Sequence, residues 1–183
     1  AVEVLGELDD VDQARLLDAL PERERAMVEE GLTYDEASAG RLMQREMVTV
    51  PEHWTVGQTI DFMRTTEQRP NNFYDIFVVD PAHHPLGKLS LSRLLRSKRP
   101  VLVEDVMRTD FHTVPVVMDQ EDVAMLFRHY GLVSAPVVDA AGRLIGMITV
   151  DDVVEVMNEE AEEDILRLGG VANDDLHGSL FST

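Results

Sequence analysis

Apolar positions along this chain change their period several times, and the changes come in the same order twice. Val48-Thr49-Val50 alternates as a short strand, and Val56, Ile60, Phe62 and Met63 then recur at helical spacing behind Thr55, whose hydroxyl suits a helix cap. Two strands follow, Asp75 to Val79 and Leu86 to Leu89, separated by the turn-forming run Asp80-Pro81-Ala82-His83-His84-Pro85. Ser90-Leu91-Ser92-Arg93-Leu94-Leu95 opens another helix. Farther on, Asp119 precedes a helix carrying Val123, Leu126 and Phe127, and Ala135 to Val138 and Leu144 to Ile148 flank the turn Asp139-Ala140-Ala141-Gly142. Thr149 then begins a long helix, so both stretches read β-α-β-β-α.

The two stretches also repeat one another residue by residue. Leu42-Met43 before Thr49-Val50-Pro51 returns sixty-four positions later as Val106-Met107 before Thr113-Val114-Pro115. Phe77-Val78-Val79-Asp80 with Leu86-Gly87 returns fifty-nine positions later as Pro136-Val137-Val138-Asp139 with Ile145-Gly146. One supersecondary unit used twice accounts for the preserved order and residue type. The pattern predicts an α+β fold: a helical segment over 1–40, repeats over 41–100 and 101–158, and an acidic helix and tail over 159–183. A chain of 183 residues buries roughly 70% of its unfolded surface on folding, so it needs no covalent staple. The absence of cysteine fits a reducing compartment and leaves any metal to oxygen or imidazole ligands. With no signal pattern and no apolar run of about 18 residues, the expectation is a soluble piece.

Charge changes this picture more than composition does. The formal net charge is −19, which disfavours nucleic acid as a partner and favours divalent cations or polycations. The acids gather late: Asp151, Asp152, Glu155, Glu159, Glu160, Glu162, Glu163, Asp164, Asp174 and Asp175 face a single base, Arg167. On a helical wheel Val154, Met157, Ala161, Ile165 and Leu168 form one stripe, which predicts a packing face, and Asp152, Glu155, Glu159, Glu162 and Glu163 lie beside it. Two like charges about 4 Å apart repel by roughly 1 kcal/mol in water and about 4 at an effective dielectric near 20. Hydrated Mg²⁺, which takes oxygen ligands and needs few carboxylates, would relieve that repulsion. A solvated acidic face is the other reading of the same row.

Other chemistry finds little support. The six histidines include the turn pair His83-His84, while His53, His112, His129 and His177 show no HxxxH or HExxH spacing. The nine methionines fall mainly on apolar faces, where they fill gaps in a core. No nucleophile stands beside a base and no glycine-rich phosphate loop is present, so the chain does not read as an enzyme. Aromatic residues at 5% also argue against binding of single-stranded nucleic acid.

The segment Ala135-Pro136-Val137-Val138-Asp139-Ala140-Ala141-Gly142-Arg143-Leu144-Ile145-Gly146-Met147-Ile148-Thr149-Val150-Asp151-Asp152 resembles the cystathionine β-synthase (CBS) domain, which occurs in tandem pairs. The resemblance implies a regulatory module that associates into flat dimers. A closer resemblance, over roughly residues 32 to 172, is to the cytosolic region of MgtE-type magnesium channels. It is carried by Leu32-Thr33-Tyr34 with Ala39-Gly40 and Met43, by Trp54-Thr55-Val56, by Asp119-Gln120-Glu121-Asp122-Val123-Ala124, and by Glu160-Ala161-Glu162-Glu163-Asp164-Ile165 with Leu168-Gly169.

That resemblance implies Mg²⁺ as a regulatory ligand, held between acidic faces so as to keep a pore shut. It implies Asp152, Glu155, Glu163 and Asp164 as metal ligands, with Glu121 as a further candidate. It also implies a homodimer, a transmembrane part beyond this sequence, and a place at the cytoplasmic face of the inner membrane. The chain departs from the family pattern at Gly131, which follows Tyr130 where Asp is common. CBS pairs also bind adenine nucleotides, using Ser or Thr and an Asp three residues on; Thr149 and Asp152 match, whereas Ser90 is followed by Arg93. The same Thr-x-x-Asp spacing is a helix-capping box, so the pair has two readings.

Overall fold

In a computed structural model, residues 10–66, 70, 73–158, 161 and 165–166 are described. Two helices come first, α1 (Asp10–Ala19) and α2 (Glu22–Leu32), followed by the single turn α3 (Ala39–Leu42). The first repeat contains β1 (Thr49–Pro51), α4 (Val56–Thr65), β2 (Asp75–Val79), β3 (Pro85–Ser90) and α5 (Leu91–Arg96). After the single turn α6 (Val103–Val106), the second contains β4 (Val114–Pro115), α7 (Gln120–Tyr130), β5 (Ser134–Val138), β6 (Leu144–Thr149) and a helix, α8, over 150–158. Among the described residues no helix is long and apolar enough to cross a membrane.

Each repeat forms a three-stranded sheet with the middle strand parallel to one neighbour and antiparallel to the other. β2 and β5 are buried at every position, which is why they read as continuous apolar runs and not as alternation. The helices are fixed at their ends by local chemistry. Thr55 and Gln58 form a reciprocal capping box on α4. Asp119 accepts the Glu121 N–H at the start of α7, and Gly131 closes that helix at φ 59.

The short turns α3 and α6 cross between the repeats. Ala39 and Met43 stand before β1 but pack with Val114, Val123, Phe127, Ala135, Val137 and Ile148 of the second repeat. Val103, with Met107 against it, joins the core of Val48, Val50, Val56, Ile76, Val78, Leu89 and Leu94 in the first. Backbone pairing follows the same exchange, with Gln44 bridging to Met147 and Arg108 bridging to Lys88. A third cluster, Phe77, Val79, Leu144 and Met147, lies where the two sheets meet. Each repeat therefore completes the other, and neither core closes with its own sequence alone.

Arg45, next to Gln44, ties α2 to this body by donating to Glu30 at 2.9 Å. Helix α8 docks differently from its wheel. Val153 and Val156 are 3% and 2% exposed, while Val154 and Met157 of the expected packing stripe are 48% and 42% exposed, and Ala161 and Ile165 are exposed as well. Bonds to Asp152 set the rotation and turn Val153 into the second core. Glu163 and Asp164, like Glu159, Glu160, Glu162 and Leu168, lie outside the described residues.

Candidate functional site

Thr149 ends β6 and is buried, so its backbone N–H and hydroxyl need partners inside the protein. Asp152, in the first turn of α8, supplies both: its Oδ2 accepts the Thr149 N–H at 2.8 Å and the Thr149 Oγ1–H at 2.9 Å. The Gln44 amide donates to both carboxylate oxygens at 3.0 Å. One bond of a capping box is made, the Thr149 N–H on the Asp152 carboxylate, while the Thr149 hydroxyl donates to the same oxygen. Gln44 is invisible to a reading confined to one repeat, because it arrives from the lead-in of the other. No signal in the sequence announces it, because local pattern does not say which repeat a lead-in joins.

The remaining candidates are dispersed. Glu155 is exposed on α8, and Glu121 is exposed in the first turn of α7. Neighbouring Asp151 accepts a hydrogen bond from the Tyr74 hydroxyl at 3.4 Å. Carboxylates are hard oxygen donors suited to Mg²⁺. Among the described residues, however, no three acidic or histidine side chains converge on a common point. The acidic row is thus described only at its Asp152 and Glu155 end.

A cleft of about 850 Å³ lies at the equivalent place in the first repeat, around Ser90 and Arg93. Its walls carry Tyr74, Lys88 and Ser92 from that repeat and Arg108, His112 and Tyr130 from the second. The cations there are mostly matched. Lys88 lies 3.1 Å from buried Asp75, whose carboxylate also accepts the Ser134 hydroxyl, and Lys88 donates to the Ser134 carbonyl at 3.1 Å. Arg108 donates to both oxygens of Asp110, at 3.2 and 3.0 Å, which pushes the guanidinium pKa up and the carboxyl pKa down. The His112 and Tyr130 rings stack with centroids 3.8 Å apart. Arg93 is exposed, with its backbone N–H on Ser90 Oγ at 3.3 Å. The cleft offers hydroxyls, an aromatic wall and an excess of positive charge, but no carboxylate where Asp152 stands in the second repeat.

Comparison with known proteins places these features in context. The magnesium transporter MgtE of Thermus thermophilus is 41% identical over 162 residues, 88% of this chain and 36% of its own length. The chain spans about a third of the length of the curated relatives it matches. The crystal structure of the cytosolic domain of the Mg²⁺ channel MgtE in complex with ATP is 38% identical. It superimposes with a TM-score of 0.80, covering 85% of this chain and 63% of that one. The crystal structure of the soluble part of a magnesium transporter is 32% identical with a TM-score of 0.82, covering 87% and 62%. The CBS domain profile matches residues 39–99 and 103–159, the two β-α-β-β-α units each with its lead-in. With both units matched and both folded in the same strand order, the chain belongs to the CBS-domain family.

Proposed function

We propose that this chain is the regulatory part of an MgtE-type magnesium transporter, responding to Mg²⁺ through its acidic faces and passing the response to a membrane-spanning part outside this sequence. The observation that carries the reading is the 41% identity to the Thermus thermophilus transporter along 88% of the chain. The net charge of −19 supports it independently. In this reading 1–40 is the end of a helical domain, 41–100 and 101–158 are the CBS repeats, and 159–183 leads toward the membrane at its cytoplasmic face. A homodimer formed through the CBS pairs would bring a second acidic surface close. Asp152, Glu155, Glu163, Asp164 and Glu121 are the proposed ligands, each needing carboxylates from a facing element to complete a site.

The mechanism asks little of any one ion. Carboxylates on apposed faces repel, a divalent cation between them reverses the sign, and each ion favours the closed arrangement by its differential affinity. Several weak sites acting together shift the population. A titration of the chain with MgCl₂ against KCl at matched ionic strength, following thermal stability and sedimentation, tests this. A magnesium-specific rise in stability, reduced in Glu155→Gln and Glu163→Gln, is the expected result. An equal rise in KCl would overturn it.

The cleft at Ser90 and Arg93 favours a second role, binding of a nucleotide, since a solved relative is a complex with ATP. Arg93 cannot accept from the ribose hydroxyls as an aspartate would, and its charge suits phosphate. Calorimetry with ATP and with inorganic triphosphate separates the two: comparable binding assigns the cleft to the phosphates, and binding of neither removes the role.

A further inference from the structure

The turns joining β2 to β3 and β5 to β6 share one construction. Asp80 and Asp139 each accept, through Oδ1, the backbone N–H four residues on, from His84 at 2.8 Å and from Arg143 at 2.9 Å. The side chain of that fourth residue then closes on the same carboxylate: His84 Nδ1 lies 3.0 Å from Asp80 Oδ2, and Arg143 Nε lies 2.8 Å from Asp139 Oδ2. The preceding residues, His83 and Gly142, both adopt positive φ, at 68 and 78. The two turns differ in the cation. Arginine is charged at any pH the protein meets, whereas imidazole titrates near neutrality.

His84 also reaches across to the other repeat. Its Nε2 lies 3.2 Å from the carbonyl oxygen of Ala141, and beside it the Leu144 N–H donates to the His83 carbonyl at 2.8 Å. Both atoms facing the ring are acceptors only, one a carboxylate and one a carbonyl. A neutral imidazole has a single N–H and satisfies one of them; only the imidazolium satisfies both.

The charges around the ring point the same way. Asp80 faces it from its own turn and Asp139 from the opposite turn, where Arg143 shares the Asp139 carboxylate. The Asp80 hydrogen bond, more than any other influence, raises the His84 pKa above its ordinary value, with partial desolvation opposing.

We infer that His84 is a proton-operated clasp between the two repeats: charged, it ties Asp80 of the first turn to Ala141 of the second, and neutral, it lets one of them go. The clasp sits beside the cluster of Phe77, Val79, Leu144 and Met147, since the His83 carbonyl accepts from Leu144 of that cluster, so its release loosens the seam between repeats. Because the folded pKa is raised, the stabilisation is fully present below the unfolded value of about 6.5 and is lost as pH rises through the folded one. The window therefore opens on the alkaline side of ordinary histidine.

The experiment is an NMR titration of the imidazoles in the 183-residue chain and in Asp80→Asn, with thermal unfolding of wild type, His84→Arg and His84→Gln at about pH 6 and about pH 8.5. His84 should titrate above an ordinary histidine and fall back toward it in Asp80→Asn. The wild-type melting midpoint should drop toward that of His84→Gln at the higher pH while His84→Arg holds. A His84 that titrates at or below the ordinary value, or a wild type whose pH dependence matches that of His84→Gln, overturns the clasp. Should His84→Arg fail to fold, the NMR titration decides alone.

Discussion

The Met43 sulfur lies over Gly146, so close that a methyl group built on that glycine would stand 2.5 Å from it and 2.9 Å from the Gln44 carbonyl oxygen. Met107 lies over Gly87 in the same way, with the corresponding distances 2.6 Å to its sulfur and 2.9 Å to the Arg108 carbonyl oxygen. In both cases the methionine stands ahead of the first strand of one repeat and the glycine belongs to the other. The glycines are present because a backbone passes over them, and the methionines because a flexible side chain fits the remaining gap.

Gly146→Ala and Gly87→Ala should each destabilise the chain by about 1–3 kcal/mol, the usual cost of overpacking a filled site. Urea unfolding measures it. Met43→Ala combined with Gly146→Ala should cost less than the sum of the single changes, because the sulfur is one of two obstacles. Strict additivity would mean that the two groups do not touch in solution.

Asp152→Ala should lower stability by about 2 kcal/mol with no magnesium present, since it removes charge-assisted bonds to Thr149 and leaves the Gln44 amide without its partner. This has a practical consequence for any magnesium titration. A variant at Asp152 confounds fold with ion binding, whereas Glu155→Gln alters an exposed carboxylate. Equal stability of Asp152→Ala and wild type in chelator would show that the cap contributes nothing.

Much of this fold is legible in the sequence because its strands are punctuated. Ile76-Phe77-Val78-Val79 and Ala135-Pro136-Val137-Val138 are short apolar runs ending in Asp-led turns, and their bounds follow from those turns. The exchange of Met43 and Met107 is not legible, because local pattern carries no information about which repeat a lead-in joins. The rotation of helix α8 escapes the sequence for a related reason. Val150, Val153, Val154, Val156 and Met157 cover so much of the wheel that periodicity leaves its rotation undetermined, and the bonds from Gln44 and Thr149 to Asp152 decide it. The candidate site divides along the same line: Thr149 and Asp152 lie three residues apart and can be paired by eye, whereas Lys88, Arg108 and His112 meet only once two repeats fold together.

Lys88→Met should cost about 3 kcal/mol, because it strands the Asp75 carboxylate, 5% exposed, without its cation. Adding Asp75→Asn should recover part of the loss, since the amide needs no counter-charge and keeps an acceptor for Ser134. The comparison is made by urea unfolding of the two single variants and the double. A double variant less stable than Lys88→Met alone would mean that the negative charge itself is wanted at the cleft.

Acid should unfold the chain in part through its turns. The Arg143 backbone N–H, reinforced by its side chain, holds Asp139 below the ordinary carboxylate range, and hydrogen bonds from His84 do the same for Asp80. A lowered folded pKa means stability that is present above the unfolded value of about 3.9 and lost as pH falls through the folded one. Melting midpoints followed from about pH 5 to about pH 2 should therefore fall less steeply in Asp139→Asn than in wild type. Parallel curves would remove Asp139 from the acid response.

Gly131→Ala isolates a backbone effect. The residue closes α7 at φ 59 with its N–H on the Phe127 carbonyl, and a Cβ built there meets nothing within 4 Å. No side chain would be displaced, so the whole cost comes from holding alanine in the left-handed region, about 1 kcal/mol. Asparagine tolerates that region better, and Gly131→Asn should lose only a few tenths of a kcal/mol. Denaturant midpoints of the two variants, compared at equal slope, measure the difference. If alanine and asparagine proved equally costly, the tolerance of asparagine for the left-handed region would count for nothing at this position.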